Sequence, residues 1–445
     1  MMTTSITRLT KPLRPARSPS HGTASGGPAK AGRWSAGVAL CTLVLLAAAP
    51  AAVQAQGSLL SWGSHTQIYF PDGITSDVGD PVSDTPAGTF IAVAGGFSHS
   101  HAIRTDGTLV SWGTDLLDYH VGPGGLLEDV TFTGQISDTP AGTFTAVAAG
   151  LFHSVAIRTD GTLASWGGLD EFGEVSDTPA GTFIAVAEGY DHSTAIRTDG
   201  SLVDWGREIE SEFSLRPTTG TFIAVAAGWE YSVALRSDGT LIAWGDHTYV
   251  DPMLLNPPAG TFIAVSASAS NAVAIRTDGT LSSWGNDSTS QVSDTPAGTY
   301  VAVAVGSGHC VALRTDGRLV SWGQNFAGVV SDTPTGYFTA VAAGGYHSVA
   351  IRRPLTVLEG ILDLSLTVQA FVEDGAPLPS KGQSLQVKLD AAAAAVEVNA
   401  TETAVGSLGA FINQTGAFVK TKKLTPAQGQ TLIDGAGLII TDLGG

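Results

Sequence analysis

The chain has 445 residues, 43% of them hydrophobic and 14% charged, with a net charge of −18. Six of its 22 basic residues (Arg8, Lys11, Arg14, Arg17, Lys30, Arg33) fall in the first 55 positions, which hold no acidic residue; the rest of the chain sets 16 basic against 40 acidic residues. That balance argues against a phosphate-gripping surface for nucleic acid, which needs Lys and Arg, and against docking on anionic lipid.

Residues 1–55 read as a secretory signal peptide: a basic, Pro/Ser/Gly-rich lead, an apolar run over 36–53, and small residues up to Ala55. The run is shorter than the roughly 20 residues a membrane span needs, so cleavage is expected in preference to the alternative, an uncleaved anchor, and no stable membrane insertion is expected after it. The expected location is secreted or extracellular, or periplasmic if a Gram-negative cell retains the protein. Cys41 would leave with the signal, and Cys310 is then the single cysteine, so no disulfide forms within the mature chain. Cys310 stands where other repeats have Ser100, Ser154 and Ser193, and is read as a small buried thiol.

A cassette close to Phe-x-Ala-Val-Ala-x-Gly-x-x-His-Ser-x-Ala-Ile-Arg-Thr-Asp-Gly-Thr-Leu-x-Ser-Trp-Gly fills residues 90–113, 144–167, 183–206, 222–245, 262–285 and 300–323. A seventh copy, 338–352, stops before its Asp-Gly, and residues 57–63 supply the missing Leu-x-Ser-Trp-Gly end. A period near 40 residues denotes a propeller or solenoid, and complementary split ends single out a closed ring. Alternation predicts strands at Phe-x-Ala-Val-Ala, at His-Ser-x-Ala-Ile-Arg and at Leu-x-Ser-Trp-Gly. A short fourth strand is predicted at Gln135-Ile136, Glu174-Val175, Gln291-Val292 and Val329-Val330. Each Asp-Gly predicts a two-residue hairpin turn with both residues at positive φ. Ser-Asp-Thr-Pro-Ala-Gly linkers follow, with Asp84, Asp138, Asp177, Asp294 and Asp332 read as turn caps and not as calcium ligands.

The recurring side chains read first as scaffold. One Trp per repeat (Trp62, Trp112, Trp166, Trp205, Trp244, Trp284, Trp322) at fixed register is expected between blades. His99, His153, His192, His309 and His347 are expected in the same role, because Tyr231 and Asn271 replace them in two repeats. The seven Arg residues from Arg104 to Arg352 are expected to hold nearby Asp side chains or carbonyls.

At the Ala-x-Gly-x-x-His-Ser segment, the Asp-Gly turn and the Trp-Gly end, residues 57–352 resemble the regulator of chromosome condensation repeat family. The resemblance implies a seven-bladed propeller and a protein-binding role. The family's eponymous member is an exchange factor for the GTPase Ran that also binds chromatin, and other members include a bacterial propeller inhibitor of β-lactamases. Ran-type exchange is not carried over to an acidic chain with a signal and no exchange wedge.

Beyond Pro354 the pattern turns helical over 358–372, 384–396, 401–414 and 426–440, and Thr425-Pro426-Ala427-Gln428 has the form of a capped helix start. Phe411-Ile412 and the stretch 422–428 resemble the small FIMAH-type helical domain found at the C-termini of secreted bacterial proteins. The expected architecture is an all-β seven-bladed β-propeller over 56–353, closed by its terminal strands, followed by a small all-α C-terminal domain over 354–445.

No phosphate loop, zinc spacing or nucleophile elbow is present, so no catalytic residue, cofactor or metal is expected. Binding residues are expected where the repeat breaks: Tyr69, Phe70 and Asp72 in the insertion after Trp62, Asp115, Asp118, Tyr119 and His120 in the insertion after Trp112, and Trp229 with Tyr231. The leading expectation is a non-enzymatic protein-binding propeller with a protein partner and no nucleic acid. The alternatives are a carbohydrate-active propeller using Asp72 with Asp115 or Asp118, and an inhibitor of a secreted hydrolase.

Overall fold

The computed structural model describes residues 57–63, 67–69, 75–77, 81–121, 127–168, 170–207, 216–245, 251–373, 376–378 and 382–443. Residues 1–56, with the segment read from sequence as a signal, lie outside them. Each full repeat forms a three-stranded antiparallel sheet, here blades 1 to 6 in chain order, as in Phe144–Ala149, His153–Arg158 and Leu163–Gly167 of blade 2. Blade 7 joins Phe338–Ala343 and His347–Arg352 to the N-terminal strand Ser58–Gly63, in register from Ser58↔Arg352 to Gly63↔His347. The ring therefore closes as its split repeat requires, and blade 7 has the same three strands as the other six.

The Phe-x-Ala-Val-Ala strands pack against one another around the axis and are the innermost of each blade. Seven separate apolar cores fill the seven blade interfaces. Trp166 of blade 2 packs with Ala94 and Ile103 of blade 1, and Trp112 of blade 1 with Val349 and Ile351 of blade 7. Each indole is at least nine-tenths buried, and removing one such side chain typically costs about 3–5 kcal/mol. The inter-blade role expected for the Trp residues is what the packing shows.

Two local expectations are corrected. The fourth strand does not form: residues 135–138 and their counterparts are turns. Their carbonyls accept the Trp indole N–H instead, from Trp166 to Gln135 at 2.9 Å, Trp205 to Glu174 at 3.0 Å and Trp322 to Gln291 at 2.9 Å. The linker then runs along the outer strand, anchored by Thr139 to Ser111, Thr178 to Ser165 and Thr333 to Ser321 at 2.6–2.7 Å. The Asp-Gly turn is also not a two-residue type. Only its Gly takes positive φ (Gly107 +86°, Gly161 +87°), and Arg104 N–H bonds Thr108 O at 2.8 Å around a three-residue loop. Asp stays in the ordinary region because its carboxylate is occupied: Asp106 Oδ1 accepts Thr108 N–H at 2.9 Å and its hydroxyl at 2.7 Å.

The tail forms four helices: α1 Val357–Glu373, α2 Gln383–Glu397, α3 Thr401–Lys420 and α4 Pro426–Asp442. Leu364, Leu389, Leu408, Phe411 and Leu432 meet in one core. Helix α4 opens with the anticipated capping box, Thr425 and Gln428 bonding each other's backbone N–H. Helix α3 runs six residues past the expected Gln414 because Phe418 adds a further turn to that core. Among the described residues no helix is long and apolar enough to cross a membrane.

Candidate binding face

The two faces of the ring are built differently. One carries the Asp-Gly turns, where each Arg stacks on the Phe or Tyr that opens its blade, 5.0–6.0 Å from ring centre. Arg104, Arg158 and Arg197 also donate to the carbonyls of Ala87, Ala141 and Ala180. The carbonyl role expected of them holds. The other face carries the Gly-x-x-His turns and the residues that follow Trp-Gly, and it is here that the blades differ.

Beneath this loop face a hydrogen-bonded ring links every blade to the next. His99 Nε2 pairs with Ser154 Oγ at 3.2 Å, His153 with Ser193 at 3.1 Å and His192 with Ser232 at 3.0 Å. Tyr231 donates to the Asn271 carbonyl at 3.2 Å, Asn271 to Cys310 Sγ at 3.4 Å, and His309 pairs with Ser348 at 2.8 Å. His347 with Ser100 at 2.7 Å closes the circle. Burial drops His99, His192 and His309 to a pKa of about 3, so they are neutral packing groups. Cys310 takes the Ser place in this ring, and burial pushes its thiol up to about 12, as befits an inert core side chain.

Blade 3 departs from this uniformity. Glu188, fully buried, replaces the usual small residue at the end of its inner strand and sits 2.6 Å from His153 Nε2, with Ser193 Oγ donating to the same oxygen at 2.6 Å. Burial raises the Glu188 pKa, and Glu188 in turn holds His153 above its ordinary value against the effect of burial. At the surface Arg207 bridges Asp191 at 3.1 Å and Glu230 at 3.5 Å, its guanidinium lying 5.2 Å from the Phe172 ring centre. Burial pushes the Asp191 carboxyl to about 6 despite Arg207.

Beside this ion cluster is a cleft of about 490 Å³. Tyr190 and Trp229, stacked at 5.3 Å and 35°, form one wall. Arg207, Glu230, Asp251 and Asn286 bring polar groups, and the buried Leu254 closes the floor. The hollow exists because the turn of blade 5 carries Ala269 and Ser270 where blade 4 carries Trp229 and Glu230.

Of the residues expected to bind, Trp229 lies in this wall. Tyr231 does not: it is 1% exposed and serves the inter-blade ring, because it occupies the His position whose side chain points into the interface. Asp115 is engaged in backbone capping, its two oxygens accepting Ile136 N–H at 2.5 Å and Ser137 N–H at 3.0 Å. Asp170, Asp287 and Asn325 cap the equivalent turns, so capping falls to these residues ahead of the linker Asp residues named from sequence. The insertions contain hairpins, Gln67–Tyr69 with Thr75–Asp77 and Leu116–Val121 with Leu127–Phe132. Tyr69, Asp118, Tyr119 and His120 stand on these strands, while Phe70 and Asp72 lie outside the described residues. The insertions follow Gly63 of blade 7 and Gly113 of the neighbouring blade 1, which end their outer strands at the loop face opposite His347 and His99.

Sequence reading missed Tyr190, Arg207, Asp251 and Asn286. Arg207 carried a signal, since it is the single basic residue directly after a Trp-Gly. Among the described residues no group of three or more His, Cys, Asp or Glu is disposed to hold a metal ion.

The family model described as regulator of chromosome condensation (RCC1) repeat matches residues 144–174, 222–249 and 300–328, in blades 2, 4 and 6. A stretch of 80 residues, 18% of this chain, is 36% identical to the X-linked retinitis pigmentosa GTPase regulator homolog of Caenorhabditis elegans. The match spans 6% of that protein's length. Among solved structures, Prp20p of Saccharomyces cerevisiae, described with its binding to Gsp1p and histones, gives a TM-score of 0.50 at 19% identity, over 68% of this chain and 93% of that one. The CRINKLY WD40 ectodomain of the Arabidopsis thaliana receptor kinase ACR4 gives 0.44 at 19% identity, over 61% and 97%. At 19% identity the likeness to Prp20p is one of fold. Three of the seven blades thus match the regulator of chromosome condensation repeat, and all seven are wound into one propeller.

Proposed function

We propose that this is a secreted, non-enzymatic propeller that holds a partner protein on its loop face, with the helical tail as a FIMAH-type domain. The observation that carries the reading is where variation falls. The turn face repeats its Arg–aromatic stack in all seven blades, whereas insertions, aromatic turn residues and unshared charges collect on the loop face. A rigid frame with variable loops on one side is a common way of building a binding surface. The yeast propeller Prp20p, similar in fold, binds proteins, namely Gsp1p and histones. The basic lead and apolar run of residues 1–55 support export.

The test uses the mature chain and a version with both insertions cut to the length that follows Trp166, each tagged and cross-linked in the native extracellular fraction. A partner captured by the first and lost by the second, with melting unchanged, is the expected result. Equal capture by both moves the site off the insertions. Turnover of a polysaccharide that vanishes in Asp118→Asn replaces the reading with an enzymatic one.

A further inference from the structure

We propose that the cleft of blades 3, 4 and 5 receives a basic side chain, lysine or arginine, presented by the partner protein. This rests on the partner-binding reading above. The cavity, at about 490 Å³, falls within the range of ligand sites and has room for a side chain with its adjoining peptide groups. Its wall is aromatic: Tyr190 and Trp229 are stacked on each other and half-buried, with Trp229 facing the hollow left by Ala269 and Ser270. A cation within about 6 Å of such a ring is attracted to its face.

Charge selects among ligands. Among the described residues, Asp191, Glu230 and Asp251 bring three carboxylates to the cleft and its margin, against the single cation Arg207. Arg207 is already held by two of those carboxylates and by the Phe172 ring, so an anionic ligand finds no unclaimed cation among the described residues. The cleft keeps an excess of negative charge on a chain whose net charge is −18. A neutral sugar would use the aromatic wall and leave that excess uncompensated. A basic side chain uses both, with its stem along Trp229 and its head toward Glu230 and Asp251.

The mature chain is titrated by calorimetry at low salt with three probes: a blocked tri-lysine peptide, a blocked tri-glutamate peptide and a cello-hexasaccharide. The expected result is binding of tri-lysine alone, weakened at least about tenfold in Trp229→Ala and in Glu230→Gln/Asp251→Asn (a loss of about 1.4 kcal/mol). Glu397→Gln/Glu402→Gln removes the same charge from exposed positions of the helical tail and should leave the affinity within about twofold. Melting curves establish that each variant is folded. Equal weakening by the tail control shows general attraction to an acidic protein and overturns the site. So does failure of tri-lysine to bind, or binding of the hexasaccharide in its place. Tri-lysine binding that is cleft-dependent supports the site even if no partner is captured, so the two readings fail separately.

Discussion

Blade 3 and blade 6 are the same three strands paired in the same register, from Phe183↔Arg197 and Tyr300↔Arg314 at one end to His192↔Gly206 and His309↔Gly323 at the other. They differ in what hangs on that frame. Blade 6 has Val305, Ser307, Gly308, Ser321 and Gln324 where blade 3 has Glu188, Tyr190, Asp191, Asp204 and Arg207. Blade 6 holds its linker by Thr333 bonding Ser321 at 2.7 Å. Blade 3 uses an ion pair in the same place, Asp204 with Arg216 at 3.5 Å. The backbone is thus set by positions the two blades share, namely the opening aromatic, the Gly turns and the Trp. Charge is introduced at positions the frame leaves open, and it gathers beside the cleft. Attacking the frame should cost folding, while attacking the extra charges should cost little stability or none.

The largest effect is expected from the frame. Deleting residues 57–63 removes the outer strand of blade 7 together with Trp62, which packs against Ala302, Ala304 and Leu313 of blade 6. It also exposes the Ser348–Arg352 edge to other chains. Loss of one buried Trp costs about 3–5 kcal/mol before the lost ladder is counted. We expect aggregation, or melting lowered by at least about 10 °C. Unchanged melting and a monodisperse profile by light scattering would show that the ring does not depend on its N-terminal strand.

Charge in the blade 3 frame should behave differently. Asp204 is 5% exposed, and Thr194 and Trp244 face it without reaching hydrogen-bond geometry. Burial raises its pKa from 3.8 to about 6, Arg216 notwithstanding. The folded state therefore binds a proton at Asp204 more readily than the unfolded state does. The cost of the buried charge is present in full above pH 6 and fades as the pH falls toward 4. Asp204→Asn should stabilise the protein at pH 7.5 by up to about 3 kcal/mol, and the gain should vanish near pH 4. Denaturant melts of both proteins across that range check the sign. A variant less stable at pH 7.5 would mean that the Arg216 pair outweighs the desolvation of Asp204.

This contrast marks how far the sequence could be read. The ring, its seven blades and the N-terminal closing strand were legible because they are written seven times over, and periodicity averages out local ambiguity. The packing of Trp and His was legible for the same reason: replacement by Tyr231 and Asn271 within the chain marked the His position as one of inter-blade packing. The Asp-Gly turn was misjudged because turn length depends on where the Arg104–Thr108 pair forms, which dipeptide preference does not specify. The fourth strand was misjudged because the indole of the next blade takes the carbonyls that a ladder would need. The cleft was legible only at Trp229. It is made from three blades about 40 residues apart in sequence, and half of its cause is an absence, the small Ala269 and Ser270.

The smallest effect is expected where the departure looks most severe. Breaking a buried ion pair by removing one partner typically costs about 3–5 kcal/mol, because the other charge is left without compensation. Glu188→Ala should not follow that rule. Its partner His153 can release its proton, and without Glu188 burial should bring its pKa down toward that of His192, at about 3. It then becomes the same neutral His···Ser contact that His192 makes with Ser232 at 3.0 Å. Ala also fits the position, since Ala149, Ala227, Ala267 and Ala343 occupy it in four other blades. The substitution removes a buried oxygen, Oε1, that has no hydrogen-bond partner. Melting should stay within about 2 °C of the parent, a change on the order of 1 kcal/mol. His153→Ala should cost far more, since it leaves the Glu188 carboxyl buried with Ser193 alone. Proton NMR of the His153 ring provides the second readout: its titration should disappear from the range above about pH 5 in Glu188→Ala. A ring that still titrates near neutrality, with stability down by about 3 kcal/mol or more, would show that His153 is held charged by the ring itself and that Glu188 is part of the frame.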